Sequence, residues 1–163
     1  MEATVPFLKR VSTLSKGDKT RLKRAVGTRL NEADSQTLAA FYRCLPSGIP
    51  WHQEERWFAV ACLQCLWNTQ SESCKPLEKV IADLSATEEI TESTLHRIEV
   101  MMDTPWEADG LLLAKLARIM KLVHQKSNAA NIDFPALLED LIYWNAKDQF
   151  VQKKWARTIF TVH

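Results

Sequence analysis

The run Trp57-Phe-Ala-Val-Ala-Cys-Leu-Gln-Cys-Leu-Trp67 is apolar nearly all round and contains no glycine or proline, which leaves few folds open to the chain. A buried strand and a buried helix both read as continuous apolar runs, but this one is longer than most strands and carries alanines, so its length predicts a helix. A helix without a polar face has to be surrounded by others. The polar turn His52-Gln-Glu-Glu-Arg56 precedes it, and an all-α bundle with this segment at its centre is the expected fold. Only four glycines in 163 residues argue against a turn-rich β fold, and the length suits one domain, divided at most into two small helical lobes.

The flanking segments supply about seven further helices, for about eight in all. Asp18 reads as the N-cap of a helix from Lys19 to about Leu30, with Leu22, Val26 and Leu30 inward. The next starts near Asp34 or Ser35 and carries Leu38, Phe41, Tyr42 and Leu45 at i, i+3, i+4, i+7. A polar loop from Asn68 to Pro76 leads to a short helix of Leu77, Val80, Ile81 and Leu84. Thr91 or Glu92 opens a helix through Asp103 with Leu95, Ile98 and Met102 inward. Thr104-Pro105-Trp106-Glu107 combines an N-cap threonine, a first-turn proline and a capping-box glutamate, and predicts a helix from there to about Gln125. After a polar loop from Lys126 to Ile132, Asp133 caps a helix that buries Leu137, Leu138, Leu141, Ile142 and Trp144. Asn145-Ala-Lys-Asp148 breaks it before a terminal helix. The expected lobes are residues 1 to about 90 and about 91 to 163.

No catalytic constellation, metal site or cofactor motif emerges. Cys62-x-x-Cys65 is the one metal-like or redox-like spacing, but it lies inside the most apolar helix, where cysteine serves as a small buried hydrophobe. A thioredoxin-like reading needs a βαβ context that is missing. His52, His96, His124 and His163 are scattered without ligand spacing, and no phosphate loop or nucleophile elbow is present. Trp57, Trp67, Trp106, Trp144 and Trp155 sit on or beside apolar stripes and are expected in the core or at a subunit interface, whereas Trp51 lies in a turn and is left open. The start Met-Glu-Ala-Thr lacks a signal-peptide pattern and no apolar run approaches membrane-spanning length. A soluble cytoplasmic protein with no membrane partner and reduced thiols is expected.

Charge is the informative remainder. The formal net charge is +1, yet residues 1–30 hold eight Lys and Arg against two acids, residues 31–145 nine against seventeen, and residues 146–163 four against one. At about 100° per residue, three helices segregate their cations to one side. These are Arg21 and Arg24 on the first basic helix; Lys115, Arg118 and Lys121 with Gln125 on the long helix; and Lys153, Lys154 and Arg157 on the terminal one. In the terminal helix Val151, Trp155, Ile159 and Val162 form the opposite, core-facing stripe. If the three cationic faces align, they form a groove that tracks phosphates by charge without reading bases.

The ordered set Lys19-Thr-Arg-Leu-Lys-Arg-Ala-Val26, Ala40-Phe-Tyr-Arg-Cys-Leu-Pro46, Glu55-Arg-Trp-Phe-Ala-Val-Ala-Cys-Leu63, Leu116-Ala-Arg-Ile-Met120, Ile132-Asp-Phe-Pro135, Leu138-Glu-Asp-Leu141, Tyr143-Trp144 and Val151-Gln-Lys-Lys-Trp-Ala-Arg157 resembles the small subunit of type I-E CRISPR Cascade complexes, the CasB family. The resemblance implies an all-α, two-lobed, non-enzymatic protein without cofactors. It also implies two copies head to tail in a crRNA-guided complex, touching the backbone subunits and the large subunit, and helping to hold the crRNA–target DNA hybrid and the displaced strand. By position Arg24 and Arg118 match basic residues of the family's first basic helix and long C-lobe helix, and Lys147 matches a basic position after the paired aromatics. Where relatives carry a denser basic run after that pair, this chain has Asn145-Ala-Lys-Asp148. The competing reading is a purely structural helical adaptor bridging protein subunits.

Overall fold

The apolar run lies within helix α4 (Glu54–Trp67), which is buried from Arg56 through Leu63 and again at Cys65 and Trp67. The computed structural model describes residues 3–67, 73–107, 109–126 and 131–161. Val162 and His163, and most of the loops expected at 68–76 and 126–132, lie outside the described residues. Among the described residues the architecture is all-α, as expected, with nine α-helices and a single two-residue parallel pairing of Cys74–Lys75 (β1) with Asn131–Ile132 (β2). The helix that the periodicity missed is α1 (Thr4–Ser12), which buries Phe7, Leu8 and Val11.

The chain forms two compact units: Met1–Asn68 with Phe134–Ile142, and Thr69–Asp133 with Tyr143–His163. In the first, α1, α2 (Lys16–Arg24) and α8 (Phe134–Ile142) pack on α4, while α3 (Ser35–Cys44) packs on α1 and α2. Phe7 stands edge-on to Trp57 at 5.0 Å and Phe41 to Phe58 at 5.2 Å, contacts worth about 1 kcal/mol each beyond burial. Arg56, only 8% exposed, turns its guanidinium to backbone: Nε donates to the Leu141 carbonyl at 2.9 Å and Nη1 to that of His52 at 3.2 Å. The first bond fastens α8 to α4, and the two together explain how a helix end can bury an arginine.

In the second unit α5 (Leu77–Ala86) packs on α9 (Phe150–Phe160), and α6 (Glu92–Met102) on α7 (Leu111–Lys126). The division therefore differs from a cut near residue 90. α5 precedes that cut but packs with α9, and α8 follows it but packs with α1 and α4.

Several local expectations shift for identifiable reasons. Ser15, not Asp18, caps α2, its hydroxyl accepting from Asp18 N at 3.2 Å. The helix stops at Arg24 because Gly27, at φ 84°, turns the chain, so Leu30 lies outside it and is half-buried. On α3 the buried positions are Thr37, Ala40, Phe41 and Cys44; Leu38 and Leu45 are half-buried and Tyr42 is exposed, donating its hydroxyl to Glu54 Oε2 at 2.7 Å. On α6 Thr94, Ile98 and Met101 are buried in place of Leu95 and Met102. In both helices a cap satisfies the buried threonine: Asp34 accepts from the Thr37 amide and side chain, and Thr91 Oγ1 lies 3.2 Å from Thr94 Oγ1. A satisfied hydroxyl can enter the interior, and the helix rotates accordingly.

The largest departure is at residues 104–110. Thr104 does not cap α7; its hydroxyl donates back to the Val100 carbonyl at 2.8 Å, and Asp109 accepts from Leu111 N at 3.1 Å where α7 begins. Residues 104–106 are instead held from afar, with Asn145 bonding the Trp106 amide at 2.8 Å and its carbonyl at 2.7 Å, and Trp144 Nε1 donating to the Thr104 carbonyl at 2.8 Å.

The cysteines pack as expected: Cys62 is 1% exposed, and burial raises the Cys65 thiol to about 12. Cys74 is exposed on β1. A thiol reagent at pH 8 is expected to modify Cys74 rapidly and Cys62 and Cys65 only on unfolding, because thiolate and access are both needed. Peptide mapping after brief native labelling checks this; early labelling of Cys62 would contradict the buried helix.

Candidate nucleic-acid interface

Neither α7 nor α9 contains an acidic residue, so each helix brings cations without an acid of its own to neutralise them. On α7 the apolar stripe of Leu112, Leu116, Ile119, Met120 and Val123 is buried, which turns Arg118 and Lys121 to solvent with Ala114 and Gln125 and leaves Lys115 half-buried at the margin. Lys115, Arg118 and Lys121 have no ion-pair partner among the described residues. On α9, Val151 and Trp155 are fully buried and Ile159 nearly so, which exposes Lys153, Lys154 and Arg157 on the other side. Lys147 is exposed in the turn that precedes α9 and lines a cleft of about 220 Å³ with Thr104, Pro105, Trp144 and Gln152. Each of these helices thus presents its expected cations together on one face. α7 rests on α6 and α9 on α5, so each face belongs to a separate helix pair.

α2 departs from expectation. Arg24 is exposed and without an ion-pair partner among the described residues, but Arg21 is occupied: Nη1 donates to Asp18 Oδ1 at 3.0 Å and Nε to Gln36 Oε1 at 3.2 Å. Arg43, from α3, reaches the other oxygen of Asp18 at 3.1 Å. The Asp18 carboxylate, 15% exposed, therefore sits between two guanidinium groups that are 40% and 64% exposed, beside a cleft of about 280 Å³ that includes Ser35 and Gln36. The sequence of α2 alone could not point to Arg43; its one signal was a single acid, Asp18, among the cations of residues 16–24. Asp18 offsets the charge of Arg21 and two of its donors are engaged, which makes Arg24 the readier contact on this helix.

The described residues include no cluster of His, Cys, Asp and Glu suited to hold a metal ion, and no described helix is long and apolar enough to cross a membrane. The exposed arginines and lysines are suited to bind a polyanion by charge and hydrogen bonding to phosphate oxygens.

The family model for CRISPR-associated protein Cse2 matches residues 18–160. A search of curated proteins finds no match. Among solved structures, the crystal structure of M. ruber CasB superposes with a TM-score of 0.75 at 20% identity, covering 97% of this chain and 92% of that one. A chain of a CRISPR RNA-guided surveillance complex superposes with a TM-score of 0.73 at 21% identity, covering 97% of this chain and 91% of that one. The helical fold is therefore that of CasB, and the chain belongs to the family of CRISPR-associated protein Cse2, a family of structural rather than catalytic subunits.

Proposed function

We propose that this chain is a non-catalytic subunit of an RNA-guided, DNA-targeting surveillance complex of antiviral defence, and that its basic helix faces hold nucleic-acid backbones. The observation that carries the reading is the pair of acid-free helices, α7 and α9, each with a buried apolar stripe and an exposed cationic one. In such a complex guide pairing supplies sequence specificity, and a protein subunit needs only charge to support the hybrid of guide RNA and target DNA and the displaced strand. The partners are then crRNA and both DNA strands, the large and backbone subunits, and a second copy of the chain.

Arg24→Ala and Arg118→Ala are each expected to weaken single-stranded DNA binding severalfold at low salt, since each removes about one phosphate contact. The melting midpoint should stay within about 1 °C, because both side chains are exposed and unpaired among the described residues. Fluorescence anisotropy and thermal melts check the pair. A large melting shift would assign the arginines to the fold instead. The adaptor reading draws on Trp51, 84% exposed in the turn before α4, which is suited to a protein contact. It predicts that assembled complex survives nuclease with no retained nucleic acid.

A further inference from the structure

Tyr143 and Phe150 are 45% and 47% exposed, and their ring centroids lie 5.9 Å apart with planes inclined at 50°. The pair stands on a fastened support. Between them Trp144 Nε1 bonds the Thr104 carbonyl and Asn145 holds both backbone polar groups of Trp106, while Gln152 Nε2, just beyond Phe150, donates to the Trp144 carbonyl at 2.8 Å. Gln149 takes the left-handed backbone conformation, φ 55°, that aims the chain into α9 with Phe150 as its first residue. Two rings kept in water on a rigid turn are poised to cover something flat and apolar.

The surroundings say what that is. At about 100° per residue, Phe150, Lys153, Lys154 and Arg157 fall within an arc of about 100°, opposite the buried Val151, Trp155 and Ile159. Phe160, 38% exposed, returns to the same side about 15 Å along the helix. Lys147 is exposed in the turn between the two rings. The rings therefore head a stripe of cations on a helix without acids. A partner with both negative charge at regular intervals and planar faces fits it. Duplex DNA offers only the charge, its bases being already stacked, and an acidic peptide lacks the planar faces.

We infer that Tyr143 and Phe150 form a stacking platform for an unpaired nucleobase, with the α9 cations holding the phosphates of the same strand. The inference rests on the nucleic-acid reading above and adds to it a preference for single strands. Every base has a π-face, so the platform favours unpaired over paired nucleic acid without selecting a sequence.

The test uses the full chain and three fluorescent probes of equal length: oligothymidylate, the same strand with abasic sites, and a duplex. The wild-type chain is expected to bind oligothymidylate about tenfold more tightly than the abasic strand. A Tyr143→Ala, Phe150→Ala double variant should lose that preference while keeping its salt dependence, since no charge is removed. The exchange Tyr143→Phe with Phe150→Tyr keeps the rings and should retain the preference. Equal wild-type affinity for the normal and abasic strands overturns the platform, as does a preference that survives the double alanine variant. Polyglutamate binding as tight as that of oligothymidylate also overturns it. Steep salt dependence in those cases leaves the nucleic-acid reading standing, whereas no binding to any probe, or binding indifferent to salt, rejects that reading itself.

Discussion

Trp155→Ala is expected to destabilise the protein by about 3–5 kcal/mol, the usual cost of emptying a buried tryptophan site. Trp155 is fully buried on α9, and its ring stands edge-on to Trp144 at 5.5 Å. Trp144 in turn fixes the stretch before α7 through Thr104, so the cavity would loosen the α5–α9 pairing and the turn that carries Lys147 together. At about 2–4 °C per kcal/mol for a chain of this size, the midpoint should fall by roughly 6–20 °C. Thermal melts followed by tryptophan fluorescence and circular dichroism check it. A loss below 1 kcal/mol would mean that α9 is not a core element of its unit.

The second large effect concerns the opposite face of the same helix. Replacing Lys153, Lys154 and Arg157 together by alanine should leave the fold intact and reduce single-stranded DNA affinity on the order of 100-fold at 0.1 M salt, at about 0.7 logarithmic units of salt slope per lost contact. Alanine favours the helix, and the three side chains are exposed, so the melting midpoint should not fall appreciably. Anisotropy at several salt concentrations measures the affinity. A change below threefold would place the binding surface elsewhere and leave the α9 cations as ordinary solvated charge.

The contrast between those two variants shows what could be read locally. Within a helix, one apolar stripe determines where every other side chain points, so the cationic faces of α7 and α9 were legible from periodicity, as was the all-round burial of α4. What escaped depends on groups far apart in the chain. The Thr104-Pro105-Trp106-Glu107 pattern carries every local mark of a helix start. Thr104 instead closes α6, and Asn145, 39 residues away, takes both backbone groups of Trp106. Arg56 looked like the polar lead-in to a buried helix, but it is buried itself because the Leu141 carbonyl, 85 residues on, receives its Nε.

The site divides in the same way. Arg21 and Arg24 both look like free cations along α2, but Asp18 and, from α3, Gln36 take up Arg21 and leave Arg24 available. Tyr143 and Phe150 are seven residues apart across a helix break, so no helical period links them; the turn at Gln149 does. Helix faces were therefore more legible than the pairings between elements that decide which cations are free.

Charge on the helix faces, without base reading, is what we propose makes this chain a nucleic-acid-holding subunit. The most direct measurement is the affinity of the full chain for single strands of differing base composition, titrated with salt. The expected result is a linear fall of log K with log salt, a slope of about −0.7 for each phosphate engaged, and the same slope for every sequence. A flat salt dependence, or affinity that follows base sequence, would contradict it.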